Sequence, residues 1–302
     1  MSKDTKQDKQ ALSLCAEARK LFDLGEYEKS IEILTIAISI SPDIIRAYGY
    51  RGDSYFGSGQ YSKAIKDYSI VVESCPDFDL AYYYRGVAYY KIKDYESSIA
   101  DLKKAIELSP DDADAYEALG DSYNDKGEVE NAIKCYGRSL EIFDKDPNLY
   151  NKCGIAFVSI DDAINAIKCY DNAISLRPNN SCYYMNRANA FDFLRDYEKA
   201  ISDYNIAIEI DPSDGGVFYN RGVLYFKLNH YDLAIDDFKK AAELFEFEPL
   251  LCATYGNMGI SFREKGKLSK AIECFDKATS LNDKDSKVYL NRGLTYRLMK
   301  EY

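Results

Sequence analysis

The chain is 302 residues long and carries 50 acidic against 39 basic side chains, a formal net charge of −11. Such an excess of carboxylates argues against nucleic acid, whose binding rests on Lys and Arg neutralising phosphates, and against an anionic membrane surface; a neutral or basic polypeptide is the electrostatically easy partner. No stretch approaches the roughly 18 to 20 consecutive apolar residues of a membrane span, and the opening MSKDTKQDKQ has no apolar run that would make a secretory signal.

Residues 1–10 are polar throughout and are expected to form a disordered lead. From residue 11 onward one pattern recurs. Pro42, Pro76, Pro110, Pro178 and Pro212 stand at intervals of 34 residues or twice that, and a fixed period in this range marks one supersecondary piece stacked many times. The second repeat shows its composition. Tyr48, Gly52 and Tyr55 give the apolar stripe of a first helix, and Gly59 ends it. Tyr61, Ala64, Ile65, Tyr68 and Val71 then give a second helix, which Pro76 stops.

The same spacing predicts first helices at Leu14/Ala18/Leu21, Tyr82/Gly86/Tyr89, Tyr116/Gly120/Tyr123, Tyr150/Gly154/Phe157, Tyr184/Ala188/Phe191, Phe218/Gly222/Tyr225, Tyr255/Gly259/Phe262 and Tyr289/Gly293/Tyr296. Second helices are predicted at Ser30/Leu34, Ser98/Leu102, Ala132/Tyr136, Ala166/Tyr170, Ala200/Tyr204, Ala234/Phe238 and Ala271/Phe275. Over residues 11–302 this pattern resembles the tetratricopeptide repeat (TPR) family. The resemblance implies an all-α, right-handed superhelical solenoid of antiparallel helix pairs. Its full repeats are expected at 11–44, 45–78, 79–112, 113–146, 147–180, 181–214, 215–251 and 252–285, with a partial ninth at 286–302.

Departures from the family pattern are few. Leu14 replaces an aromatic, and Asp144, Glu246 and Asp283 stand where a closing proline would be. Extra residues around EFEPLL, between repeats seven and eight, are expected to change the superhelical pitch locally. A solenoid needs a polar cap over its last apolar face. The chain stops inside its ninth repeat, so the expectation is a piece of a longer protein or an unusual end.

Just before the small residue of the first helix, where TPR repeats usually place leucine, five repeats place Arg51, Arg85, Arg187, Arg221 and Arg292. In the complete repeats among these, an aspartate follows sixteen residues later: Asp67, Asp101, Asp203 and Asp237. Repeats without the arginine lack the aspartate too, with Leu119/Cys135, Cys153/Cys169, Met258/Cys274 and Glu17/Ile33 in the two slots. This pairing predicts an ion pair within each repeat rather than with the preceding one. The arginines are therefore expected to be structural staples and not a ligand-facing row. Cys153 and Cys169 fill both slots of the fifth repeat, where a reduced apolar contact is favoured over a disulfide.

Most of the 28 tyrosines occupy slots that the scaffold itself requires. Tyr50, Tyr83, Tyr84, Tyr90, Tyr183 and Tyr219 do not. All but Tyr183 fall, with Phe56, Phe193 and Phe226, on the face of the first helix that lines the concave groove in TPR proteins. Such surplus aromatics are candidate anchors for a bound peptide, densest in repeats two and three; the competing account is that they fill the groove floor.

Asn186, Asn220, Asn257 and Asn291 hold one slot in four successive first helices. A row of amides that both donate and accept suits capture of an extended backbone. It resembles the asparagine ladder in the TPR region of O-linked N-acetylglucosamine transferases. The alternative is that asparagine is common at this slot and stays solvated. The carboxylate clamp of chaperone-tail-binding TPR proteins is not expected. Asn189, Asn220 and Asn257 match it in part, but Met185 replaces its first lysine, and Ala253 and Asn257 replace its basic pair.

The chain has no P-loop, no glycine-rich dinucleotide motif and no HExxH, and its single histidine, His230, lies in an interhelical turn. The eight cysteines show no metal-like spacing. Asp161–Asp162 and Asp236–Asp237 read as solvated faces or as part of the ion pairs. No catalytic residue, cofactor or metal is expected. The reading is a non-enzymatic, cytoplasmic protein–protein interaction scaffold that holds a partner polypeptide in its concave groove. Two alternatives stand beside it: the substrate-recruiting region of a longer, glycosyltransferase-like enzyme with its catalytic domain beyond Tyr302, and a self-associating structural scaffold. The oligomeric state is left open.

Overall fold

A computed structural model describes residues 6–301, which form 17 α-helices and no strand among the described residues. They divide into two compact units, the first ending at Ala156 and the second beginning at Phe157. The N-terminal unit contains α1 (Lys6–Asp23), α2 (Tyr27–Ile40), α3 (Ile45–Gly57), α4 (Tyr61–Ser74), α5 (Asp79–Lys91), α6 (Tyr95–Leu108), α7 (Ala113–Lys126), α8 (Val129–Ile142) and most of α9 (Pro147–Ser159). The C-terminal unit contains α10 (Ala163–Leu176), α11 (Ser181–Phe193), α12 (Tyr197–Ile210), α13 (Gly215–Lys227), α14 (Tyr231–Leu244), α15 (Glu248–Glu264), α16 (Leu268–Leu281) and α17 (Ser286–Glu301).

Odd-numbered helices are the first helices of the repeats, and within each unit α1, α3, α5, α7, α11, α13 and α15 pack on the even-numbered helix that follows, setting a small residue against a large one. A Cβ built on Gly52 would lie 2.8 Å from the Tyr68 ring, and one on Gly120 would lie 2.5 Å from Tyr136. Ala64, Ala132, Ala200, Ala234 and Ala271 are fully buried opposite them. Each large side chain buried this way contributes about 1.5–3 kcal/mol relative to exposure. Between paired helices the turn needs one left-handed residue. Gly59 and Gly127 supply it with φ of 77° and 91°, whereas Lys93, Asp161, Arg195 and Asn229 adopt it without being glycine.

One expectation is corrected. α1 already begins at Lys6, so residues 6–10 are helix rather than lead; residues 1–5 lie outside the described residues. The helix is held there by burial of Ala11 and Cys15, and by the Ser41 hydroxyl, which donates to the Asp8 carboxylate at 2.6 Å. The residues inserted around EFEPLL are taken up by the first helix that follows. They lengthen α15 to 17 residues, against 13 in α13, and Pro249 sits in its first turn, where a missing N–H costs nothing.

In four repeats the arginine is bidentate to the aspartate of its own repeat. Nε and Nη2 of Arg51 donate to Asp67 at 2.7 and 2.8 Å, and Arg85–Asp101, Arg187–Asp203 and Arg221–Asp237 repeat the geometry. The aspartate side chains are only 5–10% exposed. Sequence reasoning set this pairing against one with the preceding repeat, but the guanidinium makes both. Its Nη1 donates to the preceding second helix, to Thr35, Ser69, Asp171 and Asn205 respectively. Arg292 reaches Asp276 in the same way at 2.8 Å. Arg51, Arg85, Arg187 and Arg221 thus tie their helix pairs internally and to the pair before, while Arg292 makes only the second tie among the described residues. All eight cysteines stand as thiols, Cys153 and Cys169 among them.

Candidate functional site

In the N-terminal unit the surplus aromatics surround two adjoining cavities. The larger, about 510 Å³, lies between α3, α4 and α5 and is lined by Tyr50, Asp53, Tyr68, Val71, Leu80 and Tyr84, among others. Tyr84 stacks on Tyr68 with ring centroids 6.2 Å apart, and Phe56 meets Tyr84 edge-on at the same distance. Phe78, Leu80 and Tyr84 remain 45%, 44% and 38% exposed, so the rim is apolar and open. The floor is polar. Asp53 accepts from the Tyr68 hydroxyl at 2.9 Å and faces Arg19 at 3.6 Å. Burial pushes the Asp53 carboxyl above the usual range, with the Tyr68 hydrogen bond and Arg19 pulling the other way.

A smaller cavity of about 230 Å³ lies between α5 and α7, lined by Tyr83, Val87, Tyr90, Asp114, Glu117 and Asp121, with Lys91 and Ala118. The two cavities share a wall. Tyr83 and Tyr84 are neighbours on α5, and their rings meet edge-on with centroids 5.1 Å apart. Burial and then the nearby Asp114 push the Tyr83 phenol up to about 12. Tyr90 donates to Asp125 at 2.8 Å.

Sequence reasoning missed the acidic edge of this face. Asp114, Glu117, Asp121 and Asp125 follow one another at steps of three and four along α7, which places them on one side of the helix. Lys152 of α9 sets its ammonium 2.7 Å from both Glu117 and Asp121. Burial acts to lower the Lys152 pKa, but hydrogen bonds to Asp121 and Glu117 outweigh it and hold the ammonium charged. Also missed was a second paired substitution. Where the middle of the second helix carries Tyr68, Tyr136 or Tyr204, the facing slot holds Asp53, Asp121 or Asn189, and the tyrosine hydroxyl donates to it. Where it carries Leu102, Phe238 or Phe275, that slot holds Val87, Val223 or Ile260; Tyr170, with Ile155 in the slot, and Leu34, with Arg19, depart from the pattern. The same comparison of repeats that exposes the arginine pairs would have found this one.

The C-terminal unit uses its expected residues differently. Asn257 donates to the Tyr219 hydroxyl at 3.0 Å, and Asn291 accepts from Arg263 at 2.9 Å while donating to the Lys287 carbonyl. Asn186 and Asn220 are half-buried. The four asparagines therefore share a slot but not one bonding state. Tyr219 packs on Phe238 and Phe245, and Phe226 on Tyr231, so both belong to the floor. Phe193 is 58% exposed and borders a hollow of about 120 Å³ with Val158, Asn189 and Ala190. No basic side chain stands in the clamp slots: Met185 packs in the core, and Asn257 is bound to Tyr219.

Paired helices stacked by small-against-large contacts, with an open face on their first helices, define a repeat solenoid of the kind that serves as a protein-interaction scaffold. Profiles described as "TPR repeat" match residues 52–93, 88–123, 120–160 and 259–299, and those described as "Tetratricopeptide repeat" match 181–214 and 217–246. The chain belongs to the tetratricopeptide repeat family.

Similar solved structures include the C-terminal part of a TPR repeat-containing protein from Cytophaga hutchinsonii. It is 17% identical, with 92% of this chain and 98% of that one covered and a TM-score of 0.62. MamA is 24% identical over 56% of this chain and 92% of its own, with a TM-score of 0.54. The Cut9–Hcn1 hetero-tetramer of the APC/C aligns over 93% of this chain and 55% of its own at 17% identity, with a TM-score of 0.56. At these identities the likeness shows the fold alone. No curated protein sequence matches the chain.

Proposed function

We propose that the chain is a non-catalytic scaffold that holds a segment of a partner polypeptide against the first-helix face of α3, α5 and α7. One observation carries this reading: two adjoining cavities walled by Tyr83 and Tyr84, with Phe78, Leu80 and Tyr84 left exposed at their rim. Aromatic side chains already held by their neighbours offer a large contact area at little ordering cost, which is the character of an interface anchor. Family membership supports the same reading, and Cut9–Hcn1 is a similar fold assembled with another protein.

The net charge of −11 favours a neutral or basic partner over nucleic acid or an anionic membrane surface. Among the described residues no helix is long and apolar enough to cross a membrane. The cytoplasm is the compartment this reading assumes. In the C-terminal unit the asparagine slots and Phe193 are secondary contacts for an extended partner.

The test begins with affinity capture and identification of a partner, which is then purified and titrated against the wild-type chain and a Tyr83→Ala/Tyr84→Ala variant. The expected result is an affinity loss of about tenfold or more with the thermal melt retained. Equal affinity for both would place the interface elsewhere on the chain.

A further inference from the structure

Resting on that groove reading, we propose that the face formed by α3, α5 and α7 selects a basic linear segment with two anchors: an apolar side chain in the cavity walled by Tyr84, and a lysine or arginine in the cavity walled by Tyr83. The shared wall sets the spacing. The cavities lie on either side of a ring pair whose centroids are 5.1 Å apart. An extended chain advances about 3.3 Å per residue and repeats its face every second residue, so anchors roughly two residues apart straddle the ring pair.

Charge sets the order. The rim of the larger cavity carries Arg19 and Arg46, and its one carboxylate, Asp53, is already engaged by Tyr68 and Arg19. A cation there would meet like charge, whereas Phe78, Leu80 and Val71 offer it an apolar lining. The smaller cavity has the opposite character: its carboxylates Asp114, Glu117 and Asp121 outnumber Lys91 and the Lys152 ammonium that engages two of them.

The protein shows twice how this face accommodates a cation. Lys152 places its ammonium 2.7 Å from Glu117 and Asp121, and the Lys91 ammonium sits 5.5 Å from the centre of the Tyr90 ring. Asp114 is exposed one turn before Glu117, beside Tyr83, and makes no ion pair or side-chain hydrogen bond among the described residues. A partner cation over Tyr83 and against Asp114 would add a third site of the same kind, without displacing Lys152.

The probe is a phage-displayed library of random peptides of about twelve residues, panned on the full chain, an effective length for a segment spanning two anchor sites. Selected peptides are then titrated as free peptides by fluorescence anisotropy. Enrichment of a lysine or arginine about two residues from a Leu, Ile or Phe is the expected outcome. Replacing that cation by Glu in the peptide should abolish binding. Asp114→Asn should weaken binding about fivefold and flatten its salt dependence, and Tyr84→Ser should weaken it about tenfold.

An acidic or uncharged consensus, or indifference to both Asp114→Asn and the peptide Glu substitution, overturns the inference. The groove reading survives that result if Tyr83→Ala/Tyr84→Ala still weakens the peptides. No binder at all, or binders that neither aromatic variant weakens, removes both. Asp114 has no structural partner to lose, and the peptide substitution needs no change to the protein, so a misfolded variant cannot hide the answer.

Discussion

The two compact units build from the same repeat, yet they place their carboxylates on opposite sides. In the N-terminal unit, the slots facing the second-helix tyrosines are Asp53 and Asp121, and α7 adds Asp114, Glu117 and Asp125. The third nitrogen of each arginine meets only a hydroxyl there, Thr35 or Ser69. In the C-terminal unit the tyrosine-facing slot is Asn189 or is aliphatic, while the arginines Arg187 and Arg292 reach Asp171 and Asp276. A repeat therefore fixes which positions face the groove, and the residues within a unit decide whether that face is charged and open or amide-lined and internally bonded.

The largest expected effect tests the arginine side of this contrast. Arg187→Leu strands two carboxylates, Asp203 at 6% exposure and Asp171 at 52%, whereas Arg51→Leu strands only Asp67. Removing one partner of a buried pair costs about 3–5 kcal/mol. Arg187→Leu should fall in that range and exceed Arg51→Leu by up to about 1 kcal/mol, the worth of one exposed pair. In urea unfolding followed by circular dichroism, the double change Arg51→Leu/Asp67→Leu should be far milder than Arg51→Leu alone. Equal loss in single and double variants would show that the pair is not coupled.

Next in size is the close approach of helices. Gly120→Ala drives a Cβ to 2.5 Å from Tyr136 and disturbs that ring's hydrogen bond to Asp121, on the same side chain that binds Lys152. The expected destabilisation is about 2 kcal/mol. The C-terminal unit has the same close approach at Gly259, whose Cβ would lie 2.7 Å from the Phe275 ring. On α17, which no second helix follows among the described residues, a Cβ on Gly293 meets nothing within 4 Å. Gly293→Ala should be neutral or stabilising by up to about 1 kcal/mol, through helix propensity alone. A thermal melt of Gly120→Ala that overlays the wild type would contradict the packing described.

These residues also show what could be read beforehand. Arg51 in an apolar slot required a partner, and only one position varied with it, so Asp67 was legible. Its third bond was not, because Thr35, Ser69, Asp171 and Asn205 share only the ability to accept a hydrogen bond. The extra residues around EFEPLL were legible as a break in the period, but their lengthening of α15 was not, because burial of Cys252 and Thr254 along the extended helix is a tertiary fact. Tyr83 and Tyr84 stood out as surplus aromatics, but the cavities on either side belong to α4 and α7 as much as to α5. The asparagine row was legible by slot and not by state, since Tyr219 and Arg263 come from other helices.

The smallest effect sharpens the acidic character of the N-terminal face. Tyr83 has an ordinary pKa of 10.0 and is pushed up to about 12, first by burial and then by Asp114. Because its folded value lies above the unfolded one, the neutral phenol contributes stability that is fully present below pH 10 and is lost as pH rises toward 12. For a partly exposed ring the contribution is on the order of 1 kcal/mol. Carbon-labelled tyrosine followed by NMR from about pH 9 upward, with Tyr83 assigned through Tyr83→Phe, reads the phenol directly. In Asp114→Asn the same phenol should titrate lower, because one source of negative field is gone while burial is unchanged. A value that does not move in Asp114→Asn would show that Asp114 exerts no field on the ring, and the α5–α7 cavity would then lack the charge on which its preference for a cation depends.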